Sequence, residues 1–221
     1  MDTRLSTLLD WVRETFKPAT GLLVPVSGGS DSALLWWLVC QVYPEKALAV
    51  YVGNDLRCKS WFESLGTVRC ISHPAGIGDS EAVRWALFIS ICSKERRWLI
   101  GSRTRTEEVF GTFSLASRIA PYLPLAGVWK TEVMQLGQKV GIPVEILSSS
   151  RKADPDCGRP QEQSEIPLEL IDVFLRESEK QQGVGDFSAL SEQQVQYLKR
   201  VRESNQWKRH LPVSGPELLS T

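Results

Sequence analysis

The side chains best suited to chemistry lie in one short loop, Ser27-Gly28-Gly29-Ser30-Asp31-Ser32. A glycine pair lets the backbone approach a ligand closely, and free backbone N–H groups at the start of a helix favour an anion such as phosphate. Ser27, Ser30 and Ser32 could add hydroxyl donors, and Asp31 could either cap the helix or hold a magnesium ion on the phosphates. By composition alone, an ordinary turn remains an equally good interpretation of the loop.

The segments on either side of the loop match what a phosphate site requires. Leu22 to Val26 is a short apolar run typical of a strand buried on both faces, and Asp31 to Val42 has the pattern of a helix. Further apolar runs at 47–52, 67–71 and 97–100 alternate with helical segments, which predicts a doubly wound, mostly parallel sheet with helices on both faces. A fifth strand is predicted at Ile142 to Leu147.

Other helices are predicted on both sides of these strands, and a long polar loop is predicted at Ser148 to Ser164. The helical segments cover residues 5–16, 60–65, 80–93, 104–111, 130–140, 168–177 and 191–207. One α/β domain over residues 1–180 is expected, followed by a helical extension and frayed tail over 181–221.

Two common glycine-loop motifs are absent at this position. There is no lysine where a Walker A loop requires one, and no third glycine for a dinucleotide fingerprint. The hexad Ser27 to Ser32, with Gly28 and Gly29 at its centre, instead resembles the SGGxDS loop of the N-type ATP pyrophosphatases, the PP-loop enzymes. The resemblance implies an adenine nucleotide alpha hydrolase-like fold, a loop that grips the pyrophosphate half of ATP, and AMP transfer with release of pyrophosphate.

Two downstream segments resemble ammonia-dependent NAD synthetase. Asp79 to Arg84 is similar to the N-x-x-A-R stretch of that family, which assigns Arg84 to ATP binding. Gly101 to Phe113 is similar to the pattern G-T-x-x-x-x-E-x-x-x-G-x-F. The resemblance places Ser102 on ATP and makes Glu107 share a Mg²⁺ ion with Asp31, as a hard cation requires oxygen ligands from separate elements.

Three later segments extend the resemblance. Pro124 to Val133 is similar to P-L-x-x-x-x-K-[ST]-x-V, in which Lys130 begins a helix. A lysine is poorly placed for the helix dipole at that end, so anion binding by Lys130 would explain it. Arg151-Lys152-Ala153-Asp154 aligns with a P-[ST]-A stretch, which puts Lys152 in the ATP site, and Leu168 to Phe174 resembles the L-x-x-I-D-x-x-L helix of the family.

One segment departs from the family pattern. The resemblance would place a glycine-rich, acidic Y-G-D-G-x-x-D stretch after Phe113, part of which recognises the nicotinate half of deamido-NAD. The matching segment, Ser114 to Leu123, is one residue shorter and has no acidic residue. A second adenylating function therefore stays open, with another carboxylate or a carbonyl as acceptor. A catalytically silent ATP-binding protein is the third interpretation.

The resemblance as a whole implies an amide-forming ligase. ATP would convert the nicotinate carboxylate of deamido-NAD into an acyl adenylate, and ammonia would then displace AMP. Asp31, Glu107 and Lys130 are the implied catalytic residues, with Mg²⁺ on the two carboxylates. A homodimer is implied as well, and ammonia would arrive free or from a separate glutaminase, since no glutaminase module is recognised in the 221 residues.

Composition excludes several other classes. Lys plus Arg and Asp plus Glu number 26 each, so the formal net charge of zero favours neither nucleic acid nor an anionic membrane surface. No apolar run approaches the roughly 20 residues needed to span a bilayer, and a cytoplasmic location is expected. The five cysteines form no CxxC pair and the two histidines are far apart, which argues against zinc or iron–sulfur sites.

Overall fold

A computed structural model describes residues 2–73, 81–151, 161–179, 187–209 and 211. Its described part contains one parallel sheet of four strands in the order β3-β2-β1-β4. The strands are β1 (Leu22–Pro25), β2 (Ala47–Val52), β3 (Thr67–Ile71) and β4 (Trp98–Leu99). The predicted fold class, an α/β sheet with helices packed on it, is confirmed.

The predicted helices are present in the described residues, with bounds shifted by a few residues, and two more helices lie where a strand and the end of the long polar loop were predicted. They are α1 (Thr3–Phe16), α2 (Ser30–Val42), α3 (Lys59–Leu65), α4 (Glu81–Glu95), α5 (Arg105–Phe110), α6 (Lys130–Lys139), α7 (Val144–Ser149), α8 (Gln161–Ser164), α9 (Leu168–Glu179), α10 (Glu192–Ser204) and α11 (Gln206–Arg209). A short 3₁₀ helix covers Leu115–Ile119.

The central strand β1 is fully enclosed, which explains its continuous apolar sequence. Leu23 pairs with Leu48 of β2 on one side and with Leu99 of β4 on the other. Leu22, Leu23 and Val24 have no exposed surface, because helices cover both faces of the sheet. All four strands run parallel, so the segments that follow β1, β2 and β4 emerge at the same edge of the sheet.

Helix α2 forms the centre of the larger apolar core. It is hydrophobic nearly all round and packs against α1, α3, α6 and α7 as well as against the sheet. Trp36 is fully buried, and its indole N–H donates a hydrogen bond to the Phe62 carbonyl at 2.9 Å. The helix that begins at the glycine loop is therefore held from several sides, which gives the loop a rigid base.

The predicted fifth strand at Ile142 to Leu147 is wrong, because this segment forms α7. The side of β4 on which a fifth strand would pair is occupied instead by an isolated bridge between Ile100 and Tyr122. Leu147 packs on the backbone of α6, where a Cβ added to Gly137 would lie 2.9 Å from Leu147 Cδ2. A six-residue apolar run cannot distinguish a strand from a buried helix, and contacts with α2 and α6 decide here.

The described part of the predicted C-terminal extension packs on the rest of the chain. Leu198 of α10 is buried in an apolar cluster that also contains Val109 and Phe110 of α5 and Phe174 of α9. Gly111 ends α5 with a positive φ of 75°, and a Cβ added there would lie 2.5 Å from Asn205 Cβ. The extension thus lies directly on α5. The domain boundary at residue 180 stays a prediction.

Asp2 caps α1 and joins it to the end of α6. Its Oδ1 accepts the Arg4 backbone N–H at 3.0 Å, and its Oδ2 lies 2.6 Å from the Lys139 ammonium. Hydrogen bonds from Arg4 and Lys139 hold the pKa of Asp2 well below its ordinary value of about 3.9. A carboxyl with a lowered native pKa stabilises the fold above its unfolded pKa and loses that effect as pH falls.

We therefore expect Asp2→Asn to lower the thermal midpoint by a few degrees at pH 7 and to have a shrinking effect below pH about 4. Circular dichroism melts between pH 3 and 7 measure the difference. Asp10→Asn is the matched control, because Asp10 is an exposed residue of α1 that forms an ion pair with Arg13. A difference between wild type and Asp2→Asn that is the same at pH 3 and pH 7 would contradict the assignment.

Candidate active site

The glycine loop connects β1 to α2 with a conformation that requires glycine at one position. Gly28 has φ +77°, and a Cβ added to it would lie 3.4 Å from Arg57 Cβ and 3.5 Å from Leu56 Cδ1. Gly29 is extended and caps α2 without a side chain, and its carbonyl accepts the Ala33 N–H at 3.0 Å. Among the described residues, no side chain of the N-cap pairs the backbone N–H groups of the first turn of α2, as an anion site requires.

Two serines of the loop help to hold its shape. Ser32 Oγ donates to the Gly29 carbonyl at 3.0 Å and accepts the Ser27 N–H at 3.2 Å. The Ser27 and Ser32 hydroxyl oxygens are 3.3 Å apart. Both hydroxyls thus have local partners in addition to any ligand they would bind.

Ser30 connects the loop to a distant part of the chain. Its hydroxyl oxygen lies 2.6 Å from that of Ser150, and both side chains are buried. Ser150 follows α7 directly, at the start of the long polar segment. The resemblance to the P-[ST]-A stretch predicted that Lys152, two residues further on, belongs to the ATP site, but Lys152 lies outside the described residues.

The charged centre of the site consists of Asp31, Glu107 and Lys130, from α2, α5 and α6. The Lys130 ammonium forms an ion pair and hydrogen bond with Asp31 Oδ2, and the lysine is only 5% exposed. Burial raises the pKa of Glu107, and the negative charge of Asp31 adds to the rise while Lys130 opposes it. Three residues 23 to 99 positions apart in sequence therefore share one electrostatic environment.

Glu107 has a structural role as well as a place in this cluster. It forms a capping box with Thr104 at the start of α5, in which Glu107 Oε2 accepts the Thr104 N–H at 2.9 Å and the Thr104 hydroxyl at 3.1 Å. Both of these bonds use Oε2, and within the part of the chain that the structure describes Oε1 accepts no hydrogen bond. One oxygen thus orients the carboxylate and leaves the other for a cation.

Arg84 and Ser102 are placed near the same edge of the sheet but outside this cluster. Burial is the main cause that raises the pKa of Tyr51, at the end of β2, and the charges of Arg84 and Arg57 oppose the rise. Both arginines therefore lie near the carboxyl end of β2. Ser102 lies three residues beyond the end of β4, after Ile100 and Gly101, and is partly buried.

Two residues at the site were not among the predicted ligands. Arg57 lies beside the glycine loop, with its guanidinium 3.5 Å from the Gly28 carbonyl. It could have been found from topology, because the segment after β2 must emerge next to the segment after β1. Ser150 belongs to the serine run before Lys152, and only its contact with Ser30 distinguishes it from Ser148 and Ser149.

The segment that departs from the family pattern forms the 3₁₀ helix Leu115–Ile119 and is tied to the C-terminal residues. Arg118 donates to the carbonyls of Lys208 and Leu211 at 3.0 and 2.7 Å. Lys208 in turn donates to the carbonyls of Gly111 and Phe113 at 3.3 and 3.2 Å. The region that would recognise the acceptor is therefore built from two parts of the chain.

The parallel sheet, the SGGxDS loop after its first strand and the buried lysine–carboxylate cluster together define a PP-loop ATP pyrophosphatase. The model of the NAD synthase family matches residues 80–212, which is more than half of the chain. The chain belongs to the NAD synthase family, whose members are ligases. No helix in the described residues is long and apolar enough to cross a membrane.

Relatives and solved structures are similar to this chain over nearly its full length. The NH(3)-dependent NAD(+) synthetase of Pyrococcus furiosus is 23% identical, over 97% of this chain and 94% of the relative. The NMN synthetase structure from Francisella tularensis superposes with a TM-score of 0.73 at 22% identity, covering 96% of this chain and 97% of that one. The NH3-dependent NAD synthetase structure from Campylobacter jejuni has a TM-score of 0.70 at 16% identity, with both chains fully covered.

The loop geometry leads to a test of the phosphate cradle. We expect Gly28→Ala to destabilise the protein by about 1–2 kcal/mol, because an alanine is strained at φ +77°. It should also weaken Mg-ATP binding, measured by titration calorimetry, because the strained backbone would move the N–H groups that face the phosphate. Gly127→Ala is the matched control, since its Cβ would have no neighbour within 4 Å. Unchanged ATP affinity in Gly28→Ala would contradict a loop that binds phosphate.

Proposed function

We propose that this chain is an ammonia-dependent NAD synthetase that adenylates the nicotinate carboxylate of deamido-NAD and amidates it. The observation that carries the proposal is the cluster of Asp31, Glu107 and Lys130 next to the SGGxDS loop. Family membership and relatives named NH(3)-dependent NAD(+) synthetase support the same reaction. We place this reaction in the cytoplasm.

The reaction overcomes the low reactivity of a carboxylate toward ammonia. A carboxylate oxygen attacks the α-phosphorus of ATP, the bond between the α-phosphorus and the bridging oxygen breaks, and pyrophosphate leaves. Ammonia then attacks the carbonyl carbon of the acyl adenylate, and AMP leaves with the electrons of the C–O bond while ammonia loses a proton. The protein contributes mainly by positioning the substrates and stabilising phosphate charge.

The site residues divide by position into three groups. The backbone N–H groups of Gly28, Gly29 and the first turn of α2 would hold the departing pyrophosphate, with the hydroxyls of Ser27, Ser30 and Ser32 around it. Lys130 would turn from Asp31 to a phosphate oxygen when ATP binds. Around this centre, Arg84, Ser102 and Lys152 are proposed further contacts to ATP.

The donor set of the site fits Mg²⁺. The charge of Asp31 is close enough to Glu107 to add to the rise in the Glu107 pKa, and the buried Lys130 forms an ion pair with Asp31. Mg²⁺ takes one or two carboxylates together with phosphate oxygens and water. Among the described residues no group of three or more His, Cys, Asp or Glu could hold a metal by itself. Asp31 and Glu107 would therefore hold the ion together with ATP, where it neutralises phosphate charge.

The proposal is tested by mixing the protein with Mg-ATP, ammonia and deamido-NAD and measuring pyrophosphate and NAD. Equal yields of both products are expected. If pyrophosphate is released only with nicotinate mononucleotide or another carboxylate, that compound and not deamido-NAD is the acceptor. If no acceptor gives turnover, the protein is a catalytically silent ATP-binding protein. Glutamine should not replace ammonia unless a separate glutaminase is added.

Within this assay, Asp31→Asn and Glu107→Gln should each lower pyrophosphate release by about 10²-fold or more, the size of effect seen when a charge-stabilising group is removed. Thermal melts should show that both variants fold. Glu63→Gln is the control, because Glu63 is an exposed residue paired with Lys59. Near-normal turnover in either site variant would refute the assignment of the metal ligands.

We also propose that the chain forms a homodimer through the surface made by α4 and the neighbouring 3₁₀ helix. Helix α4 is rich in apolar residues, yet Phe88 is its only fully buried member. Beside it, Leu115 and Ile119 are 47% and 50% exposed. Two exposed apolar side chains thus lie beside the partly buried apolar residues of α4, and an apolar patch of this kind is typical of a protein interface.

Sedimentation measures this assembly directly. We expect the 24.8 kDa chain to sediment at twice its mass, and Ile119→Glu to yield monomers because a buried charge is costly at an interface. Val144→Glu is the control, since Val144 is 70% exposed on α7. The proposed interface is wrong if the wild type is monomeric at micromolar concentration, or if Ile119→Glu remains a dimer.

A further inference from the structure

A buried carboxylate outside the charged cluster accepts three hydrogen bonds from two other helices. Asp172 of α9 is 2% exposed. Its Oδ1 accepts the Thr106 hydroxyl of α5 at 2.6 Å, and its Oδ2 accepts both the backbone N–H and the hydroxyl of Thr131 of α6, at 2.8 and 2.7 Å. Within the described residues it forms no ion pair, so hydrogen bonds and the positive end of α6 balance its charge.

Thr106 links this carboxylate to the start of α6. Its hydroxyl oxygen accepts the Lys130 backbone N–H at 2.8 Å while its proton goes to Asp172. Two of the N–H groups that a helix leaves unpaired in its first turn, those of Lys130 and Thr131, are therefore satisfied by this network. The start of α6 is held by side chains from α5 and α9 rather than by its own first turn alone.

The network fixes the two residues that the site depends on. Lys130 is the residue whose N–H it binds, and Glu107 directly follows Thr106. A bare carboxylate buried without a cation is costly, and apolar packing could connect the same helices without it. What the carboxylate adds is a fixed angle and register between the first turns of α5 and α6.

We propose that Asp172 is a positioning residue, which acts through Thr106 and Thr131 to hold Glu107 and Lys130 at the geometry that Mg-ATP requires. The inference rests on the proposed function, because it assigns Asp172 to the same ATP site. The direction of the three hydrogen bonds explains why this position requires a carboxylate. All three neighbours donate hydrogens to Asp172, and an asparagine would present its own N–H₂ group to at least one of them.

The test compares four variants with the wild type: Asp172→Asn, Thr106→Val, Thr106→Ser and Asp2→Asn. Thr106→Val keeps the shape and removes the hydroxyl, and Thr106→Ser restores the hydroxyl. Asp2→Asn is the matched control, because Asp2 also satisfies a helix N-terminus but contacts Arg4 and Lys139, and Lys139 is at the opposite end of α6 from Lys130. The binding probe is the Mg²⁺ complex of α,β-methylene ATP, whose affinity is measured by calorimetry at several Mg²⁺ concentrations, alongside thermal melts.

We expect Asp172→Asn and Thr106→Val to raise the Mg²⁺ concentration for half-maximal binding of the analogue by about tenfold or more, as loss of a group that orients a metal ligand does. Thr106→Ser and Asp2→Asn should stay within about twofold of wild type. In the synthetase assay, the first two variants should lower kcat at saturating ATP.

If Asp172→Asn and Thr106→Val lower the melting temperature but leave the Mg²⁺ dependence unchanged, Asp172 is only structural and the inference is overturned. Should Asp172→Asn fail to fold, the pair Thr106→Val and Thr106→Ser still decides. Failure of the proposed function would look different, because the wild type itself would then release no pyrophosphate with deamido-NAD, whereas binding of the analogue would still report on Asp172.

Discussion

The ion pair between the buried Lys130 ammonium and the Asp31 carboxylate is the interaction on which the site depends. A charge that is only 5% exposed requires a partner, and Asp31 provides it from the first turn of α2. The ion pair joins the glycine loop to α6, and Glu107 of α5 lies in the same electrostatic field. Three helices around the proposed nucleotide site thus carry charges that ATP and Mg²⁺ would redistribute.

The parallel sheet makes this arrangement possible. Because β1, β2 and β4 run in the same direction, the loops after them meet at one edge, where Ser27 to Ser32, Arg57 and Ser102 all lie. The enclosed strand β1 and the helix α2 keep this edge rigid. Polar contacts then refine it: Ser30 meets Ser150, and Thr104 orients Glu107.

The acceptor end of the site is organised differently from the ATP end. The 3₁₀ helix Leu115–Ile119 stands where the family pattern has glycines and acids, and Arg118 binds carbonyl groups of the C-terminal residues. The same 3₁₀ helix carries the exposed Leu115 and Ile119. In the proposed function, recognition of the acceptor and contact with a second chain would therefore both involve this short segment.

The local sequence pattern was sufficient to predict most helices and strands and the position of the glycine loop. The hexad Ser27 to Ser32 and the helices that begin near Ser30 and Lys130 could be predicted, since glycine placement, helix starts and buried strands depend on neighbouring residues. Asp31, Glu107 and Lys130 could be named from motif spacing. Arg84 and Ser102 lie near the expected edge, but their contacts with ATP remain predictions.

Long-range contacts decided the rest. Whether Ile142 to Leu147 forms a strand or a helix depended on the bridge from Ile100 to Tyr122 and on packing against α6. The pairing of Lys130 with Asp31, of Ser30 with Ser150 and of Asp172 with Thr106 joins residues 66 to 120 positions apart. The sequence by itself determined which residues are the candidates for binding and cleaving ATP, because candidacy depends on residue type and local spacing. Only the tertiary structure decided which of them form ion pairs or hydrogen bonds with one another, because those interactions act over a few ångströms between segments that are distant in sequence.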